Sequence, residues 1–358
     1  MMKAILKKPK SYLDDDMKIG IIGTGMFGFS IAHHLANKHI NNKEIAIITY
    51  DINKELIEHL KKTRKHLYHF KNKKLPSNIS FTNNVLEISE NADLIVMAVK
   101  SQSVREVIRE IKNHLEDKVI ILNTAKALEI ETAKTFYEVI NEELKNIKIK
   151  YTLAKFSGGT FAEDLVNYAP LGADIGCEKP AAIKKLQEIF HNENLRIYGN
   201  NDLIGVEYAG AFKNIIAIFA GIINGLALPY GSETHMISRA AKEAKEIALD
   251  LGAKAHTFSM ESQCWGNDLW MSCTGKSRNR NFGILIGKGL SPKKAIEKLQ
   301  TQHKLVEGYF TVKAIPSLCK KTKVKAPILN EIYKIVYKNK DPAKSLKQLM
   351  KRAAENIN

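Results

Sequence analysis

Lys213 stands in unusual company. It follows Gly210-Ala211-Phe212, precedes Asn214, and leads into Ile215 to Ile223, a block without one polar side chain. From Gly205 to Gly225 there is no proline and there are many small residues, a pattern expected of a helix buried on nearly every side. A lysine in such a helix loses hydration, which disfavours its charged form unless an anion comes close. The amine is then either paired or poised to exchange a proton; the alternative is an ammonium snorkelling out of the wet end of a core helix. Farther along, Ser277-Arg278-Asn279-Arg280 offers guanidinium groups able to fork onto a phosphate, with Ser277 and Asn279 donating beside them. The same run also reads as a solvated basic turn. Near the start of the chain, Gly23-Thr24-Gly25-Met26-Phe27-Gly28 has the spacing that cradles a dinucleotide pyrophosphate.

These residues need elements to hold them. Met17 to Ile22 reads as a short apolar strand, and a periodic helix follows Gly28, so the glycines fall in a strand-turn-helix context. Gly23, Gly25 and Gly28 then serve a tight turn, close approach of backbone to phosphate, and close packing of helix on strand. Ile45 to Thr49 forms the next strand and ends at Tyr50-Asp51. Asp51 is placed to accept from adenosine ribose hydroxyls, which favours NAD; Lys54, Arg64 and Lys65 could instead meet a 2′-phosphate, and Asp51 could simply cap the helix after Ile52.

Further apolar strands are expected at 79–81, 94–99, 119–122, 172–175 and 195–198, uninterrupted enough for a mostly parallel sheet covered on both faces. Ligands bind such sheets at the carboxyl ends of the strands. Lys126 follows one such end, where it is either a ligand group or a surface lysine. Ser157-Gly158-Gly159-Thr160 lies at a strand-to-helix junction, offering backbone donors to an anion or merely a helix N-cap. Beyond Asp202 the helical pattern dominates, with a helix from about Glu233 to Leu251 and a departure from regular pattern over Phe258 to Gly275. The fold class is therefore α/β: a Rossmann-type doubly wound sheet over 17–201, then an all-helical region over 202–358, preceded by an extension at 1–16.

The chain's 358 residues suffice for two such regions, and 44% hydrophobic with 26% charged residues is ordinary for a globular protein. A formal net charge of +17 is not ordinary and steers anions towards the surface. Its lysines are scattered, without interleaved aromatics, so nucleic acid is not the expected partner. Four cysteines without a CxxC pair argue against a metal centre and a disulfide framework. No signal core leads the chain, and the apolar helix is interrupted by Lys213 and Asn224, so a cytoplasmic protein without a membrane span is expected. The apolar helical half makes a homodimer the expected assembly.

From Met17 onward the chain resembles bacterial-type NAD(P)-dependent glycerol-3-phosphate dehydrogenase. The resemblance rests on Ile22 to Gly28, Ser157 to Ala162, Gly210 to Ala217, Asp268-Leu269, Ser277 to Arg280 with Phe282-Gly283, Val306-Glu307-Gly308, and Lys340-Asp341-Pro342. It implies reduction of dihydroxyacetone phosphate to sn-glycerol 3-phosphate, the phospholipid backbone precursor, with NAD or NADP as cofactor. It makes Lys213 the acid/base, with Asp268 beside it and Lys126 between cofactor and substrate. Gly158 and Thr160 would contact substrate, while Ser277, Arg278 and Asn279 would hold its phosphate, Arg278 also reaching the cofactor. Met26, Phe27, Tyr50, Ala162, Leu305 and Glu307 match cofactor-contacting positions. This chain departs from the family at Ala127, Gly159, Gly231, Glu233 and Trp265-Gly266-Asn267. Two other readings fit parts of the pattern: a related reductase of a carboxylate substrate such as ketopantoate, and a non-catalytic sensor of dinucleotides.

Overall fold

The computed structural model describes residues 17–353 apart from 37, 41–42, 91 and 303; the extension expected at 1–16 lies outside the described residues. Eight strands form one sheet: β1 (Lys18–Ile22), β2 (Ala46–Tyr50), β3 (Ile79–Thr82), β4 (Leu94–Met97), β5 (Val119–Asn123), β6 (Tyr151–Ser157), β7 (Leu171–Gly176) and β8 (Leu195–Asn200). Their order is β8-β7-β6-β5-β4-β1-β2-β3. All neighbours run parallel except β6 and β7, which pair antiparallel. The strand order reverses beside β1, so β1 and β4 frame the crevice where doubly wound sheets take ligands. All five residues of β5 and all four of β4 are buried, as continuous apolar strands covered on both faces should be. The expected strand at 94–99 stops at Met97 because Ala98 and Val99 form the backbone shelf on which Gly23 rests.

The first helix α1 (Met26–Ala36) starts inside the glycine run, at Met26 rather than after Gly28 as expected, and α2 (Lys54–Thr63) is capped by Asn53, whose Oδ1 accepts from Leu56 N at 3.1 Å. Two apolar clusters line the sheet's faces, and a third is built around the helix Leu203–Gly225. That helix is the one candidate membrane span among the described residues by length and composition, and its apolar stretch is wholly buried inside the protein. Its start is fixed by Asp202, whose carboxylate accepts from Gly205 N, Lys254 N and Thr257 Oγ1. The following helix, Tyr230–Asp250, begins earlier than expected, just after Pro229. The stretch expected to be irregular resolves into a π-helical turn, Gln263–Asn267, running straight into a helix, Asp268–Thr274.

The helix Arg278–Gly287 crosses the Lys213 helix in near-backbone contact. A Cβ on Gly221 would sit 2.0 Å from Arg280 O, and one on Gly283 would sit 1.9 Å from Ile218 O. Only glycine permits that approach. The crossing brings the start of the Arg278 helix against the middle of the Lys213 helix, where the candidate chemistry gathers.

Candidate active site

Lys213 is the eleventh residue of its 23-residue helix and only 6% exposed, so the ammonium is held inside rather than snorkelling out. Its Nζ lies 3.0 Å from Asp268 Oδ1 and donates to Ser272 Oγ at 2.8 Å. Lys126 reaches the other oxygen: its Nζ is 2.7 Å from Asp268 Oδ2 and donates to Gly158 O at 2.6 Å. Asp268 and Ser272 share one face of their helix at i, i+4, and Ser272 Oγ also reaches Asp268 Oδ1 at 3.3 Å. Two ammoniums thus share one carboxylate that is 0% exposed. Counting these three groups alone, the cluster keeps one uncompensated positive charge; Glu307 also acts on Lys213 at longer range.

Burial drives the Lys213 ammonium below its ordinary pKa, opposed by the attraction of Asp268. Burial works in the opposite sense on Asp268, but the adjoining Lys126 and Lys213 ammoniums outweigh it and hold the carboxyl below its usual value. An ionised carboxylate therefore sits against an amine whose proton is held less tightly than usual.

Asn214 ties three segments to that cluster. Its Nδ2 donates to Lys126 O at 2.8 Å, and its Oδ1 accepts from Asn279 Nδ2 at 2.8 Å. Asn279 Oδ1 in turn accepts from Gly308 N at 2.9 Å, fixing the residue after Glu307. Ser277 caps its helix by accepting from Arg280 N at 3.1 Å, and donates to Ser272 O at 2.7 Å. The side chains of Ser277 and Asn279 are thus spent on protein partners. What this terminus presents to an anion is the backbone N–H groups of its first turn and the exposed Arg278. A cleft of about 290 Å³ opens there, lined by Gly275, Lys276, Ser277, Arg278, Arg280, Asn281, Ile284 and Lys304. Lys213 does not line it, but shares Ser272 with its Ser277 wall.

At the sheet, the glycine loop fits a dinucleotide. Gly23 has φ +98°, which a side chain rarely adopts, and a Cβ on Gly28 would meet Gly23 O at 1.8 Å. At Gly25 a Cβ would meet nothing within 4 Å, so that position borders open space in front of the α1 N-terminus. Asp51 does not cap α2. Its Oδ2 accepts from Thr24 N and its Oδ1 from Asn53 N, both at 2.9 Å, so it braces the glycine loop. Met26 and Phe27 open α1, and Tyr50 ends β2 beside Asp51, all three partly exposed. Ala162 starts the short helix Ala162–Val166, and its carbonyl accepts from Ser30 Oγ at 2.9 Å, joining that helix to α1. Thr160 is turned inward, 4% exposed, with Oγ1 3.4 Å from Gly158 O. Leu305 and Glu307 are partly exposed on the segment beside Gly308.

Some residues of this neighbourhood were not singled out from sequence. Ser272 is one, although its i, i+4 spacing from Asp268 was readable. Lys155 on β6 is another: fully buried, it pairs with Glu207 at 3.3 Å and donates to Ala125 O under the Lys126 loop. His66 is a third. Its Nδ1 accepts from Tyr68 N and His69 N, which leaves Nε2–H to donate to Thr24 O at 3.1 Å beneath the glycine loop. Burial pushes its pKa down to about 4, so it is neutral there.

The family departures have local partners. The Asn267 amide fills the space a Cβ on Gly159 would need, at 2.9 Å. Glu233, 2% exposed, pairs with Arg280 Nη2 at 2.9 Å.

Comparison with known proteins agrees with this architecture on both halves of the chain. The family model for the N-terminus of NAD-dependent glycerol-3-phosphate dehydrogenase matches residues 18–183, and that for its C-terminus matches 202–347. A glycerol-3-phosphate dehydrogenase [NAD(P)+] of Clostridium botulinum is 35% identical over 336 residues, covering 94% of this chain and 97% of that protein. The Fusobacterium nucleatum protein of the same name is 34% identical over 337 residues, again covering 94% and 97%. Among solved structures, glycerol-3-phosphate dehydrogenase from Coxiella burnetii superposes with a TM-score of 0.84 at 26% identity, covering 94% of this chain and 99% of that one. The Plasmodium falciparum enzyme shares the fold, with a TM-score of 0.86 at 22% identity over 96% and 98% of the two chains. This chain belongs to the NAD-dependent glycerol-3-phosphate dehydrogenase family.

Proposed function

We propose that this protein interconverts dihydroxyacetone phosphate and sn-glycerol 3-phosphate with NAD(H) or NADP(H), Lys213 acting as acid/base. The observation that carries the reading is the buried pair of ammoniums sharing the single carboxylate of Asp268. That excess positive charge suits an oxygen that becomes anionic during reaction. The nicotinamide, when bound, supplies or accepts the hydride at C2 of the substrate. Lys213 donates a hydrogen bond to the C2 oxygen, stabilises the developing alkoxide and then gives it a proton. In the reverse direction the neutral amine takes that proton. Asp268 keeps the Lys213 amine oriented and offsets part of its desolvation. Lys126, anchored to Gly158 O and Asp268, holds the boundary between nucleotide and substrate, where Gly158 and Thr160 form the facing wall.

The substrate phosphate is held by Arg278 and the first-turn N–H groups that Ser277 and Asn279 set in place. Gripping the phosphate away from the reacting carbon positions the ketone at little cost in the chemical step. Gly23, Gly25, Gly28, Met26 and Phe27 take the pyrophosphate side of the nucleotide, with Tyr50, Asp51, Ala162, Arg278, Leu305 and Glu307 completing its surroundings. We extend the proposal to a cytoplasmic homodimer, supported by four unbridged cysteines and by exposed Leu228 and Tyr230, one in the link between the two longest helices and the other at the start of the second.

The test is turnover of dihydroxyacetone phosphate against dihydroxyacetone and ketopantoate, followed by reduced-nucleotide absorbance. Loss of the phosphate is expected to lower kcat/KM by at least about a hundredfold, two or more charge-assisted hydrogen bonds being removed. Equal or faster turnover of ketopantoate would reject the assignment.

A further inference from the structure

We infer that Lys155 is a positioning residue for Lys126, acting through the main-chain carbonyl of Ala125. The inference rests on the reading of Lys126 given above and deepens it. Lys126 serves the site only if its ammonium meets Asp268 Oδ2 and Gly158 O at once, and a flexible lysine stem does not fix both distances by itself. The loop that carries it has to be held. One face of the Lys213 helix receives that loop, through Glu207, Gly210 and Asn214 at i, i+3 and i+7. Glu207 Oε1 accepts from Asn123 Nδ2 at 3.1 Å, and Asn214 Nδ2 donates to Lys126 O at 2.8 Å. Between these two contacts the helix is bare: a Cβ on Gly210 would stand 3.5 Å from Lys126 Cγ, so the lysine stem lies against the glycine. Within the loop, Asn123 Oδ1 accepts from Ala125 N at 3.1 Å, and Thr124 Oγ1 donates to Met97 O at 2.8 Å.

The carbonyl of Ala125, the residue before Lys126, is taken by Lys155 Nζ. Lys155 stands directly across from Asn123 in the parallel pairing of β5 with β6, 0% exposed, with its ammonium 3.3 Å from Glu207 Oε1. Farther along, β6 ends at Ser157, and the next residue supplies Gly158 O to Lys126 Nζ. One strand therefore leads to both ends of Lys126, its backbone and the tip of its side chain. A buried ion pair is a poor means of stabilising a core, because desolvation of both ions offsets most of their attraction and apolar residues of like volume serve as well or better. What this pair supplies is direction: Glu207 holds the Lys155 ammonium where it can donate to Ala125 O, and the same carboxylate oxygen holds Asn123 at the start of the loop.

A mutant cycle on kcat/KM for dihydroxyacetone phosphate reduction tests this, with urea unfolding alongside. Lys155→Met is expected to lower kcat/KM by about tenfold or more, the scale set by displacing a positioned group by about an ångström. Lys126→Met should cost at least as much. In the Lys126→Met background, however, Lys155→Met should change kcat/KM by less than about threefold, because no ammonium is left to position. Lys155→Met also leaves Glu207 buried and unpaired, so it should lower stability equally in both backgrounds. Lys155→Met/Glu207→Gln removes both charges, keeps an oxygen acceptor for Asn123, and should regain most of that stability while kcat/KM stays low; it takes the place of Lys155→Met in the cycle if the single variant does not fold. A Lys155 effect of equal size with and without the Lys126 ammonium, or activity returning together with stability in the pair variant, overturns the inference in favour of a purely structural role. Undiminished turnover by Lys126→Met overturns the reading of Lys126 as well, and wild-type protein inactive towards dihydroxyacetone phosphate overturns the proposed function and the inference together.

Discussion

Replacing Asp268 by asparagine isolates the charge of the carboxylate with little change in volume. The Lys213 and Asp268 charges lie 3.0 Å apart, and at an effective dielectric of about 20 such a pair attracts by about 5 kcal/mol. Lys126 sits on the same carboxylate and its ammonium repels that of Lys213, so the net hold on the Lys213 proton is weaker than this pair attraction alone. Burial already holds the Lys213 ammonium below its ordinary pKa, and loss of the carboxylate leaves that burial opposed mainly by the weaker pull of Glu307. Ketone reduction requires the protonated amine, so activity is present below the Lys213 pKa and is lost as pH rises through it. In Asp268→Asn the alkaline limb of kcat/KM for dihydroxyacetone phosphate reduction should therefore move to lower pH. At neutral pH the rate should also fall by roughly a hundredfold or more, as for removal of one preorganised electrostatic partner. The assay is nucleotide absorbance over about pH 6 to 10, with thermal unfolding as the folding control. An alkaline limb that stays in place, or moves to higher pH, would refute the reasoning.

Three other perturbations probe the surroundings. Gly25→Val should abolish measurable NADH binding while leaving the unfolding temperature within about a degree, since its side chain enters open space; Gly28→Ala should destabilise the fold itself, because its Cβ would meet Gly23 O at 1.8 Å. Gly159→Ala should cost about 1–3 kcal/mol by displacing the Asn267 amide, and adding Asn267→Gly should recover most of it in urea unfolding; no recovery in the double variant would show that the two positions are uncoupled. Burial lowers His34 and His66 to about 4 when folded, against an ordinary value near 6.5. The unfolded chain therefore takes up protons first, and stability should fall as pH drops from about 6.5 to about 4, by at most about 3 kcal/mol per histidine. His66→Asn, which keeps an acceptor and a donor, should flatten that dependence by about one histidine's share.

The strand-turn-helix around Gly23 to Gly28 was legible because its information is local: three glycines, an apolar strand before and a helix after. The burial of Lys213 was equally legible, since the nine residues from Ile215 to Ile223, just beyond Asn214, carry no polar side chain. Its partners were less so. Asp268 follows a π-helical turn, whose spacing matches neither helix nor strand periodicity, so the segment looked irregular and the helix carrying Asp268 and Ser272 was hidden. The side chains of Ser277 and Asn279 looked like ligand donors because their commitment to Ser272, Asn214 and Gly308 depends on helices that meet only in three dimensions. Arg64 looked free for the same reason: its three carbonyl partners lie beyond the loop that follows α2. Lys155 gave no signal at all, because a lysine inside an apolar strand is readable only once Glu207 is seen opposite it.

Single-turnover hydride transfer in Lys213→Met is the most direct probe of the chemistry proposed here. With enzyme in excess over NADH and dihydroxyacetone phosphate saturating, the transfer rate should fall by about a thousandfold or more, while NADH affinity stays within about threefold of wild type. A transfer rate within tenfold of wild type would mean that the ketone oxygen receives its stabilisation and its proton from some group other than Lys213.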